Sequence, residues 1–138
     1  MQISLENTFV RELAIHGDIA AVTDNDERTF DVKFDKVFSK DELSKEFTIK
    51  FKVKVSNTSE FTLSIVYDCI FITDSPINDE FKNSHFPNVN APAIAYPYLR
   101  SYISFLTLNS GYEPAILPTI NFTSFLQQSK EMNENSMI

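Results

Sequence analysis

Residues 46–55 read EFTIKFKVKV, with Phe47, Ile49, Phe51, Val53 and Val55 alternating with Glu46, Thr48, Lys50, Lys52 and Lys54. A two-residue period places the apolar set on one face of a β-strand and leaves the other face wet. Upstream, Phe30, Val32 and Phe34 alternate with Asp31, Lys33 and Asp35, and the phase slips at Lys36 before Val37 and Phe38, which predicts a bulge or a strand end. Asn57-Thr58-Ser59-Glu60 reads as a turn. FTLSIVYDCIFIT over 61–73 follows, apolar on both parities from Ile65, which predicts a strand buried on both faces towards its end. At the front, Ile3, Leu5, Phe9, Leu13 and Ile15 share odd parity, so residues 2–16 read as a strand ended by Gly17-Asp18. Four strands without helical crossovers imply an antiparallel sheet.

Residues 73–92 are polar and proline-bearing, and read as a long loop or a broken helical turn. A helix follows, with Pro97 in its first turn and Gly111 placed to end it in the left-handed conformation. Around this helix Arg100, Ser104 and Thr107 form a narrow polar stripe, and Tyr98, Leu99, Tyr102, Ile103, Phe105 and Leu106 make the rest apolar. One sheet cannot cover so wide an arc. Burying a large aromatic side chain stabilises by roughly 1.5–3 kcal/mol, so the arc calls for a second body. A second copy of the chain is expected to supply it, through Tyr98, Tyr102, Ile103, Phe105 and Leu106; loops folded back within one subunit are the alternative. A short helix is predicted over 119–130, with Phe122, Phe125 and Leu126 at helical spacing, ahead of a flexible polar tail over 131–138. The expected architecture is one α+β domain over 1–130, a four-stranded antiparallel sheet followed by a long and a short helix.

Composition narrows the partners. The 138 residues hold 19 acidic and 12 basic side chains, a net charge of -7, which argues against nucleic acid and against an anionic membrane surface. The opening MQISLENTFVREL shows neither the basic leader nor the apolar run of a signal peptide, and no segment has the ~18 apolar residues of a membrane span. With a single cysteine, Cys69, a reducing, cytoplasmic setting is expected.

Candidate chemistry is sparse. Two glycines, Gly17 and Gly111, exclude a Walker loop and a dinucleotide fingerprint. His16 and His85 lie far apart and Cys69 stands alone, so no metal site is expected, and no cofactor. Cys69 falls in the most apolar strand, the setting of an inert buried thiol. Asp24-Asn25-Asp26-Glu27 has the acidity of a calcium loop without its glycine or distal glutamate, and reads as a solvated turn. Lys50, Lys52 and Lys54 form a basic row opposite Asp31 and Asp35, explained by cross-strand pairing or by a docking role. The reading is therefore non-enzymatic. Thirteen phenylalanines exceed ordinary core needs and can line either a surface for apolar segments of other chains or a subunit interface.

The C-terminal third resembles the SecB chaperones and SecB-like proteins. Tyr96-Pro97-Tyr98-Leu99-Arg100 resembles the Phe-Pro-Tyr-Ala-Arg opening that family's long helix, and Ile103-Ser104 falls where it has Ile followed by Ser or Thr. Gly111 to Pro114 is similar to its Gly-x-Phe-Pro, with the aromatic one place early at Tyr112. Leu117-Pro118-Thr119-Ile120-Asn121-Phe122 is similar to its Leu-Pro-Pro-Ile-Asn-Phe, although Thr123 stands where an aspartate is usual. Tyr67-Asp68-Cys69-Ile70-Phe71 resembles its Tyr-Glu-Gly-Ile-Phe, and Val10-Arg11-Glu12-Leu13 its Lys-Asp-Ile region. The match is specific over about 96–126 and patterned over the sheet.

The resemblance implies a dimer of dimers with the long helices between sheets, and an ATP-independent holdase that grips unfolded polypeptides in apolar grooves. Pattern and resemblance together give Phe9, Ile15, Phe122 and Leu126 as client-binding residues. The resemblance further implies one of two partners, the SecA translocase motor of protein export or the antitoxin of a toxin–antitoxin–chaperone system. The family's SecA-docking positions fall on Glu12, His16, Thr62 and Ser64; only Glu12 keeps an acid, which favours a dedicated client such as an antitoxin over export. A non-chaperone scaffold with one folded partner is the alternative outside that class.

Overall fold

The computed structural model describes residues 1–17, 28–56 and 60–127. The acidic cluster at 24–27, the turn residues 57–59 and the tail at 131–138 lie outside the described residues. Four strands come first: β1 (Ile3–Gly17), β2 (Thr29–Phe38), β3 (Glu46–Ser56) and β4 (Phe61–Thr73). They form one antiparallel sheet in the order β1-β4-β3-β2. A short helix α1 (Asp79–Lys82), a π-helical turn (Phe86–Asn90) and the long helix α2 (Ala91–Asn109) follow. Residues 122–127 form the described part of the short final helix, α3.

The alternation sorts the sheet into two faces. Every odd residue of β3 from Phe47 to Val55 and of β4 from Phe61 to Phe71 is buried on the face that receives α2. The rings stack across strands, Phe38 on Phe47 at 5.8 Å and Phe47 on Phe71 at 5.3 Å, so cross-strand pairing and core packing coincide. On the outer face Val66, Ile70 and Ile72 are only half-buried, so β4 is not covered on both sides as its apolar run suggests.

The phase slip at Lys36 is not a bulge. Lys36 pairs with Ile49 in unbroken register and therefore points to the α2 side among the phenylalanines of β2. Its ammonium donates to the Asn88 side chain, and burial lowers its pKa. A long aliphatic stem tolerates this placement because it packs along apolar surface while its head reaches a polar group. The true irregularities are in β1, between Leu5 and Asn7 and between Val10 and Glu12.

α2 begins six residues before Pro97, so Pro97 is interior rather than in the first turn, a position that Pro92 occupies instead. Ala91, Ala95, Leu99, Ile103 and Thr107 recur every fourth residue and are all fully buried against the sheet. Pro97 removes one backbone donor, at a cost of about 3 kcal/mol in a helix interior. The partner carbonyl it frees, on Ala93, is on the exposed side where water can take it. Gly111 closes the helix with φ of 95°, the left-handed cap its position predicts.

Two expectations on α2 need correction. Thr107 belongs to the core, not to a polar stripe: its hydroxyl donates to the Ile103 carbonyl at 2.8 Å and accepts from Ala115 N–H at 2.9 Å. Ile103 is fully buried within its own subunit and so cannot face a second copy. Part of the apolar arc is covered by residues 112–121, which run back along the helix. Ala115 and Leu117 are buried there, Arg100 Nε donates to the Leu117 carbonyl at 3.0 Å, and the Tyr96 hydroxyl donates to that of Pro118 at 2.6 Å. The same segment is tied to the sheet by Tyr112 stacking on Phe61 at 4.7 Å. Arg28 donates to the carbonyls of Pro114 and Glu113. A Cβ at Gly17 would collide with the Tyr112 hydroxyl, which is why the end of β1 carries no side chain.

Candidate functional site

Three surfaces bear on function, and each starts from a strand or helix face. The first is an aromatic seam at the β2 edge. Phe34, on the α2 side of β2, meets Phe122 edge-on at 5.7 Å and Phe125 at 5.4 Å. Phe122 in turn meets Tyr96 at 5.5 Å, and Tyr96 meets Phe51 at 6.0 Å. Asn121 organises the start of α3 by accepting from the backbone N–H groups of Thr123 and Ser124. Phe122 is 4% exposed and is the floor of the seam, whereas half-buried Phe125 forms its wall; Leu126, the next residue of α3, is also half-buried. Burial pushes the Tyr96 pKa up to about 12, so its hydroxyl stays neutral and structural.

Phe9 and Ile15 do not join this seam. Between them lies the bulge at Val10/Glu12, so Phe9 stands opposite Asp68 on the outer face and Ile15 opposite Leu63 on the α2 face. Both also belong to β1, at the far edge of the sheet from β2. Odd parity does not carry over from Phe9 to Ile15 because one bulge separates them; the two bulges cancel only between Ile3 and Leu5 on one side and Leu13 and Ile15 on the other. The seam residues not singled out for the groove are Phe34 and Phe125; the alternation of β2 and the helical spacing after Phe122 were the signals available for them.

The second surface is the uncovered side of α2. Tyr98 is 55% exposed and Phe105 67%, with Ile94, Leu108 and Ile116 also exposed. Ile94, Tyr98, Phe105 and Leu108 share one helical face, and with Ile116 they leave a continuous apolar stripe. An open depression of about 790 Å³ runs along it, lined among others by Pro97, Tyr102, Phe105, Leu108 and Ile116. Tyr102 and Leu106 are half-buried, and Tyr102 stacks on Tyr67 at 5.7 Å, so their larger part serves their own subunit.

The third is the outer sheet face. Glu12, His16, Thr62 and Ser64 are all exposed there; His16 is directly opposite Thr62, Ser64 opposite Ala14 and Glu12 opposite Val66. The four positions thus form one patch across β1 and β4. Beside it Asp68 is buried on the sheet, accepting from Arg11 Nε at 2.7 Å through Oδ2, with Lys50 at 3.9 Å from Oδ1. Oδ1 has no hydrogen-bond partner among the described residues, and the Arg11 guanidinium also covers the Phe9 ring at 5.0 Å. Arg11 lies in the second bulge, so this ion pair holds the bulged residue against the sheet.

Burial, and secondarily the neighbouring Asp68 charge, push the Cys69 pKa up to about 12, so the thiol is protonated at neutral pH. No group of three metal-ligating side chains converges among the described residues. No helix among them is long and apolar enough to cross a membrane.

The comparisons agree with one another. Among curated proteins the chain is 30% identical over 102 residues to an uncharacterized protein of Methanocaldococcus jannaschii, covering 72% of this chain and 65% of the relative. It is 29% identical over 87 residues to the protein-export protein SecB of Nitrosospira multiformis, covering 57% and 55%. The chain thus spans between about half and two thirds of the length of these relatives. Among solved structures it is similar to a SecB-like chaperone of Mycobacterium tuberculosis in complex with an antitoxin peptide, with a TM-score of 0.65 at 13% identity over 86% of this chain and 87% of that one. A protein of unknown function from Streptococcus agalactiae matches with a TM-score of 0.52 at 18% identity, over 86% and 98%. At these identities the structures attest the fold, four antiparallel strands followed by C-terminal helices. The family model described as preprotein translocase subunit SecB matches residues 1–133, and the chain belongs to that family.

Proposed function

We propose that this chain is an ATP-independent cytoplasmic holdase that keeps an unfolded polypeptide from aggregating by seating its apolar side chains in the seam between β2 and α3. The observation that carries this is the half-exposed wall of Phe34 and Phe125 on a floor set by Phe122, with half-buried Leu126 next to Phe125 in α3. Aromatic walls accept many sequences, because area burial is non-directional and ring contacts add only modest geometric preference. β2 is also an edge strand, so its outer backbone groups lie beside the seam and can pair with an extended client. The working assembly is a dimer or tetramer joined through the exposed α2 stripe, with Tyr98 and Phe105 at its centre.

The preferred client is dedicated, such as an antitoxin, and general export through SecA is second. The likeness to a chaperone bound to an antitoxin peptide supports this choice. So does the docking patch, where His16, Thr62 and Ser64 supply no carboxylate and Glu12 stands alone among the four. Charge-assisted contacts are each worth about 1.5–3 kcal/mol, so their loss weakens any docking that depends on an acidic sheet face. The chain should fail to restore export of a slow-folding preprotein in a strain lacking SecB, and should protect a genomically linked antitoxin from degradation. Efficient restoration of export, with SecA binding that disappears in Glu12→Lys, would make it an export chaperone instead.

A further inference from the structure

The row of side chains that β2 turns towards α2 is interrupted by a charge. Phe34, Lys36 and Phe38 stand opposite Phe51, Ile49 and Phe47, all buried on that face, so the three point the same way from an edge strand. Phe34 meets Phe122 and Phe125, and Phe38 stacks on Phe47. An apolar residue between them would make one continuous aromatic surface. A departure from the local pattern is where function is expected.

Lys36 is held in place from below. Its ammonium donates to Asn88 Oδ1, and Asn88 is only 6% exposed. Both N–H groups of that amide are committed, to the carbonyls of Lys82 at 3.1 Å and Ser84 at 2.6 Å, so its oxygen is the group left for Lys36. Asn88 belongs to the π-helical turn Phe86–Asn90, a local form found mostly at functional sites.

An ammonium has three donors, and Asn88 takes one. No carboxylate takes the others. Asp31 and Asp35 of β2 are on the outer face, Asp79 of α1 is turned to Lys82 at 4.0 Å, and Lys36 makes no ion pair among the described residues. Asp41, Glu42 and Glu46 line a depression beyond Phe38 that Lys36 does not line. Burial lowers the Lys36 pKa with no neighbouring charge to offset it, the setting in which a seated carboxylate gains most. Within the row, Lys36 is the single cation between two aromatic rings.

We propose that Lys36 sets which client segments are taken: extended ones with an acidic side chain flanked two residues away on each side by apolar ones, the carboxylate on Lys36 and the apolar groups on Phe34 and Phe38. The inference rests on the seam as client groove and names the chemistry that the groove selects. Alternate side chains repeat every ~6.7 Å both in β2 and in an extended client, so the two rows match in spacing. An acid at the middle position meets two unused donors, and a lysine there meets repulsion.

The test uses three fluorescein-labelled nonapeptides of alternating leucine and serine whose central residue is replaced by glutamate, glutamine or lysine, with leucine two residues away on each side. They are titrated with the full chain by anisotropy at low salt. The glutamate peptide should bind about fivefold tighter than the glutamine peptide and at least about tenfold tighter than the lysine peptide. Lys36→Gln keeps a donor for Asn88 and should bring the glutamate and glutamine peptides within about twofold of each other. Lys36→Glu should reverse the preference in favour of lysine, and Lys33→Gln, on the outer face, should keep the parent ratio. Equal binding of all three peptides, or a glutamate preference that persists in Lys36→Gln, would overturn the proposal and leave the seam standing as a groove. Binding of none would overturn both. A fall in oligomeric mass in Lys36→Gln would assign the lysine to contact with a second copy, and would also overturn it.

Discussion

Phe105→Glu should leave the subunit folded and reduce the assembly to single subunits. Phe105 is 67% exposed within its own subunit, so the sheet loses almost nothing when it is replaced. In a joined pair of α2 stripes the same position is buried among Ile94, Tyr98, Leu108 and Ile116, while Arg100, which lines the same depression, is already held through Nε on the Leu117 carbonyl. A buried charge without a partner costs about 3–5 kcal/mol, roughly two to four powers of ten in a dissociation constant. Sedimentation should give the mass of one chain at micromolar concentration while circular dichroism is retained. A parent chain that already sediments as a monomer, or a variant that stays assembled, would place the interface elsewhere. Tyr102 is a poorer probe, because its stacking on Tyr67 makes the fold itself a casualty.

Phe122→Ala should have the largest effect on the fold. Phe122 touches Phe34, Tyr96 and Phe125, bridging β2, α2 and α3. Truncation of a buried phenylalanine costs about 3–5 kcal/mol, the spread reflecting how far the site can close on the cavity. Chemical denaturation should lose that amount, and α3 should detach before the sheet melts because its other ring contacts run through Phe125 alone. A loss below about 1 kcal/mol would mean that α3 does not depend on this anchor. Leu126, next to Phe125 in α3, is the position for separating client binding from stability.

The strands were legible because alternation is a direct imprint of a sheet with one covered face, and it gives the boundaries of β4 residue for residue and those of β3 to within one. β1 was legible as a strand but not in its faces. Two bulges shift its side chains twice, and an odd-numbered series passes through both shifts looking unbroken, so Phe9 and Ile15 were grouped although they stand on opposite faces. Lys36 misled in the opposite direction: a charge on the apolar parity reads as a break, but the register runs on through it and its head finds Asn88. The start of α2 was obscured by prolines, since Pro97 has the same preference for a first turn whether or not a buried stripe extends beyond it. Ala91 and Ala95 carry that stripe, and small residues give a weak periodic signal although they let the helix approach the sheet closely. Thr107 looked polar by type and is internal by partner, satisfied by Ile103 and Ala115. For the seam, Phe122 and Leu126 came from pattern and resemblance together. Phe34 entered only with the tertiary arrangement that brings β2 beneath α3.

The most direct measurement of the central claim is light scattering by a chemically denatured, unrelated protein diluted into buffer with increasing amounts of this chain and no ATP. Near-stoichiometric chain should abolish the scattering, and Leu126→Ser, with its oligomeric mass unchanged, should need several-fold more. Scattering that is unaffected by the parent chain, or suppressed equally by Leu126→Ser, would contradict a holdase that works through the seam between β2 and α3.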